Sequence, residues 1–245
     1  MLKETRKRDT HIIVGGDSSE GTGSGHKFFD ADLMVKGCEN PERQVLVVEE
    51  MLKPHRKKII TWREGNHERR YRREGDFIRN ACKRLGVPYG GVTTHLTLGN
   101  GVRLYCAHGN KMMPRGAKDP VQKEANQLAW LKNQLAPMAS DCHAMFMEHT
   151  HQLKVLPPQS SIHMGQRDGK MHAAKIVLPA MRTDLGFDVI PVSSRWYVNA
   201  GTMRTNFAPG AIDYAEEHMF APAEIGYVII HIRNGSIEDI EKVVV

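Results

Sequence analysis

The 245-residue chain is poor in cysteine and has no long apolar run, and each scarcity narrows what it can be. The four cysteines, Cys38, Cys82, Cys106 and Cys142, lie far apart and form no Cys-x-x-Cys pair. That argues against a disulfide framework and against a thiolate zinc knuckle, and predicts reduced, mostly buried thiols. No stretch approaches the ~20 apolar residues that cross a bilayer. The charged opening, residues 1–8, has no apolar stretch behind it of the kind a secretory signal needs. A cytoplasmic location with no membrane partner is expected. Internal repeats and low-complexity tracts are also lacking, and the chain reads as a single domain over residues 1–245.

What is present is an ordinary globular balance, 40% hydrophobic and 25% charged, rich enough in apolar residues to build a core. The formal charge of +6 and pI near 9.1 favour polyanions. Much of the excess is local: Lys53, Arg56, Lys57 and Lys58, then Arg63, Arg69, Arg70, Arg72 and Arg73. Two readings stand side by side, a solvated helix face or a surface for a phosphate-rich substrate, nucleic acid included.

Short apolar runs alternate with helical patterns, which points to an α/β protein. Strands are predicted over residues 11–14, 58–63, 95–98, 102–107, 144–147, 195–199 and 227–233, and helices over 41–52, 74–85, 120–135 and the charged start 2–8. The helix at 41–52 is the best marked: Asn40 offers a cap, Pro41 suits the first helical position, Glu42 adds an early acid and Pro54 stops it. Asn234-Gly235, between the strand at 227–233 and a second at 236–245, predicts a β-hairpin with a type I′ turn. Residues 157–184, weakly periodic and carrying several Gly, Ser and Gln, are expected to cross the surface.

The residues with metal-binding chemistry follow the predicted strands: Asp17 after the first, Asn66, His67 and Glu68 after the second, His108 after the fourth, then Glu148, His149 and His151 after the fifth. Carboxyl ends of strands in an open α/β sheet gather on one edge, so these loops can converge. Asp17 supplies a carboxylate able to bridge two ions, Asn66 a carbonyl oxygen, and His108, His149 and His151 neutral imidazole nitrogens. Such a set favours Mn, Fe, Zn, Ni or Mg. His149 and His151 are alternate residues, which on a strand share a face. Gly16, Gly65 and Gly109 let the backbone turn sharply and come near the ions. Taken singly each residue has a plain structural reading, a surface histidine or a capped turn; their order and placement together point to a metal centre.

In that order, GGD (Gly15 to Asp17), GNHE (Gly65 to Glu68), AHGN (Ala107 to Asn110) and EHTHQ (Glu148 to Gln152) resemble the calcineurin-like metallophosphoesterases, whose pattern runs DxH, GD, GNH(D/E), a His after a strand, then GHxH. The resemblance covers roughly residues 11 to 155, and residues 199–204 and 213–216 look like tail segments of phage-type and prokaryotic members. It implies a sandwich of two mixed β-sheets flanked by helices, and phosphoester hydrolysis at a dinuclear metal site. By position, Asp17 would bridge the metals, Asn66, His108 and His149 would complete one of them, and His151 would serve the other. His67 would stabilise charge on the phosphate and protonate the leaving oxygen. Glu68 would orient His67, and Arg69 and Arg70 would either hold further phosphates or face solvent.

The sequence departs from that pattern twice. Glu148 stands where the family has Gly, and would act as an extra ligand or as an acceptor that orients a histidine. The DxH motif is missing. Asp9 and His11 imitate it, but they precede a strand whose ~4–7 residues, at about 3.3 Å each, place them some 15 to 20 Å from the other strand end. The resemblance therefore implies a fold lacking the family's first strand, with residues 2–8 ending the helix that follows it. It also implies one full metal site and a second with only Asp17 and His151, so that the chain would hold either the family's two ions or one. Three functions stay open: an active phosphomonoesterase, phosphodiesterase or nuclease; a catalytically impaired relative that binds metal and phosphate or nucleic acid; and a structural protein in which the histidines are incidental. Loops 18–36 and 111–119, with Ser18, Ser19, His26 and Lys27, are the expected substrate-facing segments.

Overall fold

The computed structural model describes residues 9–26, 29, 34–114, 116–176, 178–204 and 224–245. The predicted helix 2–8, Lys27 and the segment 213–216 lie outside the described residues. The chain is mixed α/β, as the alternation of patterns predicts.

One sheet is wholly parallel, with β1 (Ile12–Val14), β2 (Ile59–Arg63) and β3 (Tyr89–Gly91) side by side in that order. Parallel neighbours need long crossovers, and here these carry α1 (Pro41–Leu52), the one-turn α2 (Asn66–Arg69) and α3 (Phe77–Leu85). Asn40 accepts from the Arg43 amide at 2.9 Å, Pro41 sits in the first turn, and Pro54 converts the end of α1 into the 3-10 turn Lys53–Lys58. Both long helices bury apolar faces against Ile59 and Trp62: Val45 and Leu52 from α1, and Ile78, Ala81, Cys82 and Leu85 from α3. Glu49 on α1 also receives Arg84 of α3 at 2.6 Å. α3 starts at Phe77, not at residue 74, because the Glu74 and Gly75 amides both close onto the Tyr71 carbonyl, leaving Asp76 as the residue before the helix.

A second, mixed sheet contains β4 (Thr93–Thr97), β5 (Arg103–Ala107), β6 (Ala144–Met147), β7 (Leu153–Leu156) and β12 (Trp196–Ala200), in spatial order β4-β5-β6-β12-β7. β5, β6 and β12 are parallel, and the two outer strands run against them. Every residue of β6 is buried, alternating between two cores. Ala144 and Phe146 join Leu104 and Val198 on one face, where Ile13 of β1 also packs. Met145 and Met147 join Tyr197 and the α4 (Pro120–Leu135) residues Leu131 and Leu135 on the other. Each buried Leu, Val, Met or Phe side chain among these contributes about 1.5–3 kcal/mol, so apolar packing is what fixes where the strand ends emerge.

The described residues of 157–184 lie at the surface, yet they hold more structure than their weak periodicity predicts. β8 (Ser161–Arg167) and β9 (Lys170–Ile176) form a hairpin in which every described residue is exposed. Asp168 and Gly169 make its turn at φ 51° and 73°. That Asp-Gly pair was the available signal, while exposure of both faces erased the alternation. β10 (Met181–Arg182) and β11 (Asp188–Val189) follow as a short pair. The hairpin predicted at Asn234-Gly235 is present as β13 (Gly226–Arg233) and β14 (Ser236–Val244), with φ 51° and 76° at the turn. Among the described residues, no helix is long and apolar enough to cross a membrane.

The thiols test this packing. Cys82, Cys106 and Cys142 are at most 2% exposed, and burial pushes Cys82 and Cys142 up to about 12 and Cys106 to about 11. Cys38 is only half-buried. Ellman's reagent should titrate one thiol in the native protein, removed by Cys38→Ser, and all four cysteines after unfolding.

Candidate metal centre

Four strand ends from the two sheets meet here. β1 leads into Gly15-Gly16-Asp17 and β2 into Gly65-Asn66, while β5 leads into His108 and β6 into Glu148-His149. The first two loops touch backbone to backbone. A Cβ on Gly16 would stand 2.6 Å from the Gly65 nitrogen, and one on Gly65 would overlap the Asp17 carboxylate. These two glycines are therefore needed for close approach; Gly109, at φ 83°, is needed for its turn.

Asp17, His149 and His151 all have left-handed backbone, at φ 55°, 64° and 55°, and the other described non-glycine residues with positive φ are the hairpin-turn residues Asp168 and Asn234. Such a conformation costs about 1–3 kcal/mol unless the surroundings hold it. At Asp17 they do so from two sides: the Asp17 amide donates to Glu68 Oε2 at 3.1 Å, and Asp17 Oδ1 accepts from the His67 amide at 2.9 Å. Around His149, Asn199 at the end of β12 donates to the Glu148 carbonyl at 3.3 Å and to Thr150 Oγ1 at 2.7 Å. The Thr150 amide also closes onto the Glu148 carbonyl at 2.6 Å.

Four side-chain atoms converge. Asn66 Oδ1 is 2.9 Å from His108 Nε2 and 2.8 Å from His149 Nδ1, the two ring nitrogens are 3.3 Å apart, and Asp17 Oδ2 is 3.0 Å from His108 Nε2. Bonds of about 2.1 Å to a single divalent ion would place neighbouring ligand atoms about 3.0–3.4 Å apart, so the spacing fits one ion. Asp17 Oδ2 is also buried without a hydrogen-bond donor, its contact with His108 being poorly directed. Burial raises the Asp17 carboxyl, but His108 and His67 more than reverse this, keeping it below its ordinary value and ionised. Burial, reinforced by His108, lowers His149, which favours the neutral ring that ligation needs.

His151 stands outside this group: among the described residues, the side chains at these strand ends whose donor atoms all lie within 4.8 Å of one another are Asp17, His108 and His149. β6 ends at Met147, so the strand alternation that would bring His149 and His151 to one face does not extend to them. Burial and the neighbouring Arg204 lower the His151 pKa.

Several residues are engaged differently from their sequence-based roles. Glu68 accepts from the amides of Asp17, Ser19 and Gly65, so it shapes the Asp17 loop instead of touching the His67 ring. Burial, joined by the Asp17 charge, pushes its carboxyl up, against the pull of the Gly65 and Ser19 amides. His67 is oriented by Glu20, whose carbonyl oxygen lies 2.6 Å from His67 Nδ1; nothing in the local sequence around Glu20 signals that role. Ser18 Oγ accepts from Trp62 Nε1 at 2.8 Å and donates to the Gly15 carbonyl at 3.2 Å, which commits it to the loop. Arg63 is fully buried and pairs with Glu148, so it does not belong to the basic surface. Arg69 approaches Glu64 at 3.8 Å and Arg70 contacts His26 at 3.2 Å, both at the exposed rim.

Glu148 is thus an orienting acceptor: one oxygen holds Arg63, and the other accepts from the Gly16 amide at 2.9 Å and lies 3.5 Å from His108 Nδ1. Glu148→Ala would leave the Arg63 charge buried and unpaired, and should destabilise the fold by about 3–5 kcal/mol in urea unfolding. Adding Arg63→Met should recover part of that loss.

Compared with known proteins, the chain matches no family model and no curated protein.

Proposed function

We propose that this chain is a metal-dependent phosphoester hydrolase, related to the calcineurin-like metallophosphoesterases and acting as a phosphomonoesterase, a phosphodiesterase or a nuclease. The supporting observation is the convergence of Asp17 Oδ2, Asn66 Oδ1, His108 Nε2 and His149 Nδ1, with neighbouring distances of 2.8–3.3 Å, at four strand ends. The parallel sheet and the mixed sheet, each with helices packed on it, suit the two-sheet sandwich of that family.

Those four residues would hold Mn, Fe, Zn, Ni or Mg, and the bound ion supplies Lewis acidity toward a phosphate oxygen and toward the attacking water. The rest falls to the chain's own groups. With its Nδ1 hydrogen committed to the Glu20 carbonyl, His67 keeps Nε2 available, 3.8 Å from Asp17 Oδ2. Nε2 can carry a proton to the departing oxygen or stabilise charge on the phosphate. Arg204 fixes Glu20 from behind at 3.1 Å, and Arg69 and Arg70 at the rim offer guanidinium groups to additional phosphates.

A second reading, a metal- and phosphate- or nucleic-acid-binding relative with impaired catalysis, is favoured because, among the described residues, the donor group gathered at these strand ends is Asp17, His108 and His149 without His151. Bis-(p-nitrophenyl) phosphate with added Mn²⁺ separates the two. On the first reading it is hydrolysed, Asp17→Ala abolishes turnover and removes the Mn²⁺ held at this centre, and His67→Asn lowers kcat by about 100- to 10,000-fold with metal content unchanged. One Mn²⁺ equivalent that Asp17→Ala removes, bound without turnover, selects the second reading, and no Asp17-dependent Mn²⁺ sinks both.

A further inference from the structure

A second group of donor side chains stands toward the opposite end of the five-stranded sheet. Asp141 and Cys142 precede β6, Arg103 opens β5, and His95 lies in β4 opposite Tyr105. The amino-terminal ends of β5 and β6 gather here, whereas His108 and His149 follow the carboxyl ends. About 4–5 extended residues, at about 3.3 Å each, keep the two places some 15 Å apart.

His95 Nε2 is 3.1 Å from Asp141 Oδ1 and also 3.1 Å from Cys142 Sγ, and the three donor atoms lie within 4.8 Å of one another. A single ring nitrogen offers one hydrogen or one lone pair, never both. If it is protonated it serves Asp141 and leaves the thiol without this acceptor. If it is not, it takes the thiol hydrogen and meets the carboxylate lone pair to lone pair. A nucleophile-histidine-acid triad would divide the two partners between Nε2 and Nδ1, which this arrangement does not do. A cation among the three atoms satisfies all of them together.

The surroundings suit that role. Arg103 Nε donates to the Asp141 backbone carbonyl at 2.6 Å and lies 3.5 Å from Oδ2, which turns Oδ1 toward His95. Cys142 is fully buried, while the His95 side chain is 43% exposed, so the group is walled on the sulfur side and open to water on the other.

We infer that His95, Asp141 and Cys142 form a binding site for a thiophilic divalent cation, zinc before others, distinct from the centre at Asp17. Sulfur, nitrogen and carboxylate oxygen with a fourth position left to water match the donors and coordination number of Zn²⁺. On binding, the Cys142 thiol releases its proton to solvent as the sulfur–metal bond forms, while His95 enters neutral and Asp141 ionised. The ion then clamps the outer strand β4 to the segment leading into the buried β6. The site does not depend on what the Asp17 centre does.

Cobalt alone tests this on the full chain after chelator treatment. The Asp17 centre has no sulfur donor, so a thiolate-to-cobalt charge-transfer band reports only the proposed site. The band should fade when Zn²⁺ is added, survive Cys38→Ser, and persist in Asp17→Ala, where it should saturate at one equivalent of bound cobalt. Cys142→Ser should abolish it. His95→Ala, at a partly exposed position that folding tolerates, should weaken cobalt binding at least about tenfold. No band in the wild type, a band that persists in Cys142→Ser, a band lost in Cys38→Ser or Asp17→Ala, or unchanged affinity in His95→Ala would each overturn the site.

Discussion

Arg63 and Glu148 meet out of water, one at the end of β2 in the parallel sheet and the other at the end of β6 in the mixed sheet. Neither charge tolerates burial alone, so their pairing obliges the two sheets to bring these ends together. Glu148 then reaches two further loops, accepting from the Gly16 amide after β1 and facing His108 after β5. A single carboxylate thereby touches a residue at or after each of the other three strand ends that surround the candidate centre. Gly15 leaves it room, since a Cβ there would stand 2.9 Å from the Glu148 carboxyl carbon.

Around that hub the polar groups are organised to hold the backbone before they hold any ligand. Glu68 and the His67 amide fix Asp17 in a left-handed conformation, and Asn199 pins the turn that carries His149. Backbone strain of this sort persists only where neighbours over-determine it, and here it falls on Asp17 and His149, two of the four residues whose side chains converge. The apolar cores lie beneath, with β6 buried on both faces, and they set the positions from which these short loops project.

Much of the architecture was legible. A cap and prolines marked α1, Asn234-Gly235 marked the last hairpin, and apolar runs marked β2, β5 and β6 to within a residue or two. Those signals are local, arising from φ preferences and from burial on a fixed period. The hairpin at Asp168-Gly169 escaped because its apolar residues, Ile162, Met164 and Met171, are exposed and follow no burial pattern. The strands β3 and β7 are short and take their identity from neighbours across the sheet.

The sequence by itself determined which residues carry metal-binding chemistry and that they follow strands: residue type and strand-end position are both written locally, as at Asp17, Asn66, His108 and His149. Tertiary structure alone decided how those residues associate. It grouped Asp17 and Asn66 from one sheet with His108 and His149 from the other, left His151 aside, buried Arg63 against Glu148, and gave Glu20 rather than Glu68 the task of orienting His67. It also placed His95 beside Asp141 and Cys142. Each of these pairings joins segments distant in sequence, and their contact depends on sheet order and strand register, which no local pattern specifies.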